Sequence, residues 1–140
     1  MKKQALLFIA CIISCCAALA QDVQKPMVAG TYKGKLPCEE CKIIETSLDL
    51  KYGTDSTGEF SLRDKYISRG GTDVTSRISG EWIITKDIFE DKKVMMVILN
   101  YDNEDKAMYY VLNADGNLQP LDKERHKITA DIDCTLKRML

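Results

Sequence analysis

The feature that most constrains this chain is a two-residue alternation of side-chain polarity. Ile44, Thr46, Leu48, Leu50 and Tyr52 occupy one parity, and Glu45, Ser47, Asp49 and Lys51 occupy the other. Successive side chains of a strand point to opposite faces, so this pattern describes a strand with one face in a core and one in water. The rhythm recurs after a turn at residues 53–58. Phe60, Leu62 and Tyr66 share the next inward face, interrupted by Asp64, and Ile78, Trp82 and Ile84 continue it with Gly80 between them. Residues 94–99 are apolar at both parities, which describes either a central strand or one whose outer face is covered. A polar turn at 101–105, a strand at 107–112 and an Asp115-Gly116 hairpin signal before Leu118 follow. Residues 122–131 are charged and lack an apolar stripe, so they read as a loop. A last strand at 132–137 would turn Ile132, Cys134 and Leu136 inward.

Turn signals about every ten residues, with no βαβ alternation, no internal repeat and no long amphipathic helix, predict an all-β fold. Consecutive strands joined by short turns favour an antiparallel meander, and closing about eight short strands into a barrel removes their edges.

The first twenty residues form a separate unit. Lys2 and Lys3 precede an apolar run from Ala5 to about Ala17, and Ala18-Leu19-Ala20 stands before the polar Gln21. This is the pattern of a secretory signal with cleavage between Ala20 and Gln21, since a membrane span needs roughly 20 apolar residues. A competing route runs through Ile12-Ile13-Ser14-Cys15, which looks like a bacterial lipobox and would make Cys15 the lipidated first residue. Membrane attachment is expected only by that route. The abrupt change of polarity after Ala20 favours ordinary cleavage. The expected organisation is a signal peptide at 1–20, a tether at 21–27 and one domain at 28–140, placed in the periplasm or cell envelope, with an outer-membrane lipoprotein as the alternative.

The full chain carries a net charge of −1, and losing Lys2 and Lys3 makes the remainder more acidic. No stretch of sequence clusters basic residues, so a nucleic-acid footprint is not expected. Of six cysteines, Cys11, Cys15 and Cys16 belong to the leader, leaving Cys38, Cys41 and Cys134. An oxidising compartment would then hold one disulfide and one odd thiol.

The densest chemistry is Leu36-Pro37-Cys38-Glu39-Glu40-Cys41, between two expected strands. Cys38 and Cys41 can form a local structural disulfide, a redox centre or a soft-metal site. A thioredoxin-type centre needs a depressed thiol pKa, usually from a helix N-terminus. Glu39 and Glu40 work against a thiolate, while Lys35 and Lys42 flank the loop with the opposite sign. As metal ligands, two thiolates suit Cu(I) better than zinc, which wants four ligands, with Cys134 and His126 the remaining soft or borderline donors. Cys134 reads as a small buried hydrophobe and His126 as solvated. Met95, Met96, Met108 and Trp82 read as core. With one histidine, no Ser-His or Cys-His arrangement and no phosphate-cradling glycine loop, the sequence does not suggest an enzyme.

The stretch Gly30-Thr31-Tyr32-Lys33-Gly34-Lys35-Leu36-Pro37-Cys38-Glu39-Glu40-Cys41, with Ile44-Glu45-Thr46 and Leu48-Asp49-Leu50 after it, resembles the N-terminal domain of the NlpE family of copper-resistance and envelope-stress lipoproteins. Gly80-Glu81-Trp82, Leu118-Gln119-Pro120-Leu121-Asp122 and Leu136-Lys137-Arg138 resemble later family segments in the same order, so the likeness runs from 28 to 138. The resemblance implies a small lipocalin-like β-barrel in the bacterial envelope, linked to copper homeostasis and to stress signalling through the Cpx pathway. It maps the family's cysteine pair onto Cys38 and Cys41. The family's second, OB-fold domain has no counterpart in these residues, and Cys134 has none in the motif.

The function expected from these readings is a non-enzymatic envelope protein acting in copper homeostasis or stress sensing through its Cys-x-x-Cys loop. Its partner would be Cu(I) or another envelope protein. Two rivals are a lipocalin-like carrier of a small apolar ligand and a thiol-disulfide redox protein.

Overall fold

The computed structural model describes residues 27–54 and 56–140. The expected signal peptide at 1–20, the expected cleavage between Ala20 and Gln21, Cys15 and all of the expected tether except Met27 lie outside the described residues. Eight strands follow in chain order: β1 (Gly30–Leu36), β2 (Ile43–Tyr52), β3 (Thr57–Ile67), β4 (Val74–Phe89), β5 (Lys92–Leu99), β6 (Met108–Leu112), β7 (Leu118–Pro120) and β8 (Lys137–Arg138). They form one antiparallel sheet in the order β7-β6-β5-β4-β3-β2-β1-β8. The two ends of that sheet meet where Leu118 and Leu136 bridge, so the meander curls into an all-β, nearly closed barrel.

Period two explains the inside. Tyr32, Leu48 and Leu62 lie side by side across β1, β2 and β3, and each is almost fully buried. Phe60, Trp82, Leu99, Tyr110, Leu118 and Leu136 belong to the same inner cluster. The interior is thus a packed core, and at roughly 25 cal/mol per Å² of buried apolar area it is the main stabilising term. Asp64, the interruption in the third strand, shares the inner face with Thr46, whose hydroxyl donates to its Oδ1 at 2.7 Å. Burial raises the Asp64 pKa, and the Thr46 hydrogen bond offsets part of that rise.

Trp82 is fixed by backbone as well as by packing. Its indole N–H donates to the carbonyl oxygens of Lys51 and Glu59, each at 3.1 Å. Gly58 makes this possible, because a Cβ there would stand 1.8 Å from the Lys51 oxygen and 2.9 Å from Trp82 Nε1.

The two-sided apolar run at 94–99 is a strand with a covered outer face. Met95, Val97 and Leu99 share one parity, and Val97 and Leu99 belong to the inner core. Met96, with Val94 and Ile98, packs outside against Val111, Tyr109 and Leu121. The charged segment after β7 lies over this second cluster, with the Arg125 guanidinium 4.5 Å from the Tyr109 ring centroid and 3.2 Å from Asp87 Oδ2.

Two expectations change. Ile78 has inward parity yet is 42% exposed, because β5 pairs with β4 only from Trp82 onward and leaves the first half of β4 uncovered. The expected last strand at 132–137 shrinks to β8 and the Leu136 bridge. Cys134 and Leu136 are buried, but Ile132 is 37% exposed. Here the Asp133 carboxylate accepts from the Thr135 N–H at 3.0 Å, and this local turn replaces strand pairing.

Candidate functional site

Strand β1 ends at Leu36 opposite Ile44, and residues 37–42 make the connection. Within it a disulfide joins Cys38 and Cys41, with S–S at 2.09 Å and Cα atoms 5.3 Å apart. The Cys41 N–H points at Cys38 Sγ at 3.1 Å. Cys41 is buried and Cys38 half-buried, while Pro37, Glu39, Glu40 and Lys42 are exposed. The end of β3 and the β3–β4 connection brace the loop, since the Lys42 N–H donates to the Ile67 carbonyl at 2.8 Å and Arg69 Nε donates to the Cys41 carbonyl at 3.1 Å. A partly open sulfur pair therefore stands at one rim of the barrel.

No helix is present among the described residues, so nothing in the loop supplies the N-terminal dipole that acidifies a thioredoxin thiol. While oxidised, the pair offers no thiolate. Once reduced, it offers two sulfurs on one loop, a donor set that fits a soft ion of low coordination number such as Cu(I). Among the described residues no three or more His, Cys, Asp or Glu side chains converge, so a four-ligand zinc site does not fit.

The other candidates are dispersed. His126 is exposed in the outer segment, its N–H donating to Asp122 Oδ1 at 2.8 Å and its Nδ1 lying 3.9 Å from Asp122 Oδ2. Cys134 is a buried free thiol in the wall of a cavity of about 370 Å³ shared with Gln119 and Lys127. Burial pushes its pKa up, Asp133 adds to the rise, and Lys127 opposes it. Met96 lies in the outer cluster and Met108 packs against the inner core. Met95 lines a cavity of about 500 Å³ with Ile88, Lys86 and Lys93. Trp82 is core.

One grouping escapes any reading of sequence neighbours. The register sets Lys137, Lys33, Ser47, Arg63 and Arg77 in a single row across β8, β1, β2, β3 and β4. The parity opposite to buried Tyr32, Leu48 and Leu62 places this row on the outer face.

The sequence profile of the NlpE N-terminal domain matches residues 32–131, which include both loop cysteines. The chain belongs to that family. An NlpE-type barrel is also what structural comparison finds. The Cpx pathway activator NlpE from Escherichia coli is 26% identical with a TM-score of 0.51, over 79% of this chain and 51% of that one. A presumed lipoprotein from Shewanella oneidensis is 24% identical with a TM-score of 0.54, over 80% of this chain and 89% of that one, a likeness of fold. The match to NlpE thus spans about half the length of the Escherichia coli protein. No curated protein sequence matches the chain. The family match stops at residue 131, before Cys134 and the closing Leu136.

Proposed function

We propose that this NlpE-family chain is a non-enzymatic domain of the bacterial envelope whose responsive element is the Cys38–Cys41 pair. The observation that carries this reading is the placement of both sulfurs on the β1–β2 loop, partly open and braced by Arg69. A soft-metal response follows from the chemistry of the pair. Reduction by an external dithiol delivers two electrons and two protons, and the resulting thiols bind Cu(I) with loss of their protons. Export through the residue 1–20 leader or lipidation at Cys15 would place the domain where such an exchange is useful. The name of the Escherichia coli relative, a Cpx pathway activator, supports a stress-signalling context and an envelope protein as partner.

Competition of the reduced protein with a Cu(I) chelator tests the reading. The wild type should take Cu(I) one to one, and Cys38→Ser/Cys41→Ser should lose that affinity at least a hundredfold while keeping its β-sheet circular-dichroism spectrum. Equal affinity of the two proteins would remove the loop as the site.

A further inference from the structure

Strand β4 is sixteen residues long, but its two halves have different neighbours. Its second half pairs with β5 from Trp82↔Leu99 to Phe89↔Lys92. One more rung follows, the Asn100 N–H donating to the Glu81 carbonyl at 2.9 Å, and there the β5 side of the strand ends. The first half pairs only with β3, from Tyr66↔Val74 to Gly80. Backbone groups of an antiparallel strand alternate between its two neighbours. Since Glu81 faces the β5 side, so do Ser79, Arg77 and Thr75. Among the described residues no strand meets their N–H and C=O groups there.

Such an edge is a template for an added strand, and proteins commonly cover or charge it. The side chains here do more than guard it. On the inner face Val74 is 61% and Ile78 42% exposed, two apolar residues four apart with no strand beyond them. On the outer face the row Lys137–Lys33–Ser47–Arg63–Arg77 ends at this edge with Arg77. Like charges directly opposite destabilise a sheet, yet Arg63 faces Arg77 and Lys33 faces Lys137. Among the described residues no ion pair engages Lys33, Arg63 or Arg77. A shallow concavity of about 360 Å³ runs beside the row, walled by Lys33, Lys35, Arg63 and Lys65, with Glu45 as the carboxylate in that wall.

We propose that residues 75–79 of β4 are a docking strand for an extended segment of a partner protein in which apolar and acidic residues alternate. The segment's backbone takes up the free N–H and C=O groups. Its apolar side chains cover Val74 and Ile78, and its carboxylates extend the outer row beside Arg77 and Arg63. This is strand addition with specificity set by alternate side chains. A second copy of this chain does not fit, because antiparallel self-pairing over 75–79 sets Arg77 against Arg77. A lipid surface would use the cations but leave the backbone edge unmet. The site is independent of Cys38 and Cys41, so it stands or falls apart from the metal reading.

The probe is a nine-residue peptide of alternating Val and Glu, titrated into the isotopically labelled full chain. The Thr75, Arg77 and Ser79 amides should shift and become protected from hydrogen exchange. Arg77→Glu should weaken the peptide at least tenfold with no loss of thermal midpoint, since the new carboxylate would face Arg63, and N-methylation of alternate peptide backbone positions should abolish binding. Equal binding of a Val-Lys peptide, or shifts centred away from 74–80, would overturn the proposal. So would a Val-Glu peptide that does not bind while phosphatidylglycerol vesicles bind in an Arg77-dependent way, which would assign the row to a membrane surface.

Discussion

Gly34 and Leu136 are in such close contact that a Cβ on Gly34 would stand 2.7 Å from Leu136 Cδ2 and 2.8 Å from the Thr135 carbonyl oxygen. That contact lies at the seam, where Leu136 and Leu118 exchange both backbone hydrogen bonds, at 2.8 and 3.0 Å. Strand β8 adds only the pairs Tyr32↔Arg138 and Lys33↔Lys137. Closure of the barrel therefore rests on a short strip of chain lying flat against a residue without a side chain.

Gly34→Ala should open this seam. Overpacking of this kind costs about 1–3 kcal/mol. Urea denaturation should show that loss, and the Leu118 and Leu136 amides should exchange faster while those of β2 and β3 stay protected. Unchanged stability would mean that the seam yields freely and does not hold the barrel.

Trp82→Phe should cost about 2–4 kcal/mol. The substitution shrinks a fully buried side chain and leaves the Lys51 and Glu59 carbonyls without the indole donor. Chemical denaturation measures it, and a loss below about 1 kcal/mol would contradict the pinning role given to Gly58 and Trp82.

Most of this architecture is legible in the alternation itself. Leu48, Leu50, Phe60, Leu62 and Trp82 occupy the parity that period two assigns to them, because a side chain's face follows from strand geometry alone. Burial does not follow from face. Ile78 has the right parity, but whether anything covers it depends on where β5 stops, and that is a property of pairing. The turn after Phe89 is equally silent. Glu90 and Asp91 both adopt positive φ, 49° and 62°, as a two-residue hairpin turn requires, without the Asn-Gly or Asp-Gly pair that usually marks one. The Cys38–Cys41 loop was visible as a motif because its members are neighbours in sequence. The basic row was not, because its four cations come from four strands and meet only through register.

Alkaline pH should unfold the protein through Tyr110. Burial raises the pKa of this phenol well above its ordinary value, and the Asp64 charge raises it further. With the folded pKa above the unfolded one, Tyr110's contribution is fully present below about pH 10 and is lost as pH rises beyond it, when only the unfolded state gives up the proton. Unfolding free energy measured from pH 8 to 12 should fall above pH 10, and Tyr110→Phe should make that limb shallower, with Tyr32, whose pKa burial also raises, keeping part of it. An identical limb in the variant would refute the assignment.

Reducing the disulfide should leave the barrel intact. The bridge closes only a four-residue loop, so its contribution in the chain-entropy account is no more than about 2 kcal/mol. The remaining cross-links of this loop, Arg69 to the Cys41 carbonyl and Lys42 to Ile67, do not involve sulfur. The thermal midpoint with and without a phosphine reductant should differ by only a few degrees, and loss of the β-sheet signal on reduction would show that the bridge is structural.

The barrel presents the Cys38–Cys41 sulfur pair at its rim and hides the Cys134 thiol. Alkylation of the native chain after mild reduction, located by peptide mass, tests this arrangement directly. Labelling should be rapid at Cys38 and slower at Cys41, and should reach Cys134 only in denaturant. A pair that resists reduction until the protein unfolds, or Cys134 labelling as fast as Cys38, would contradict it.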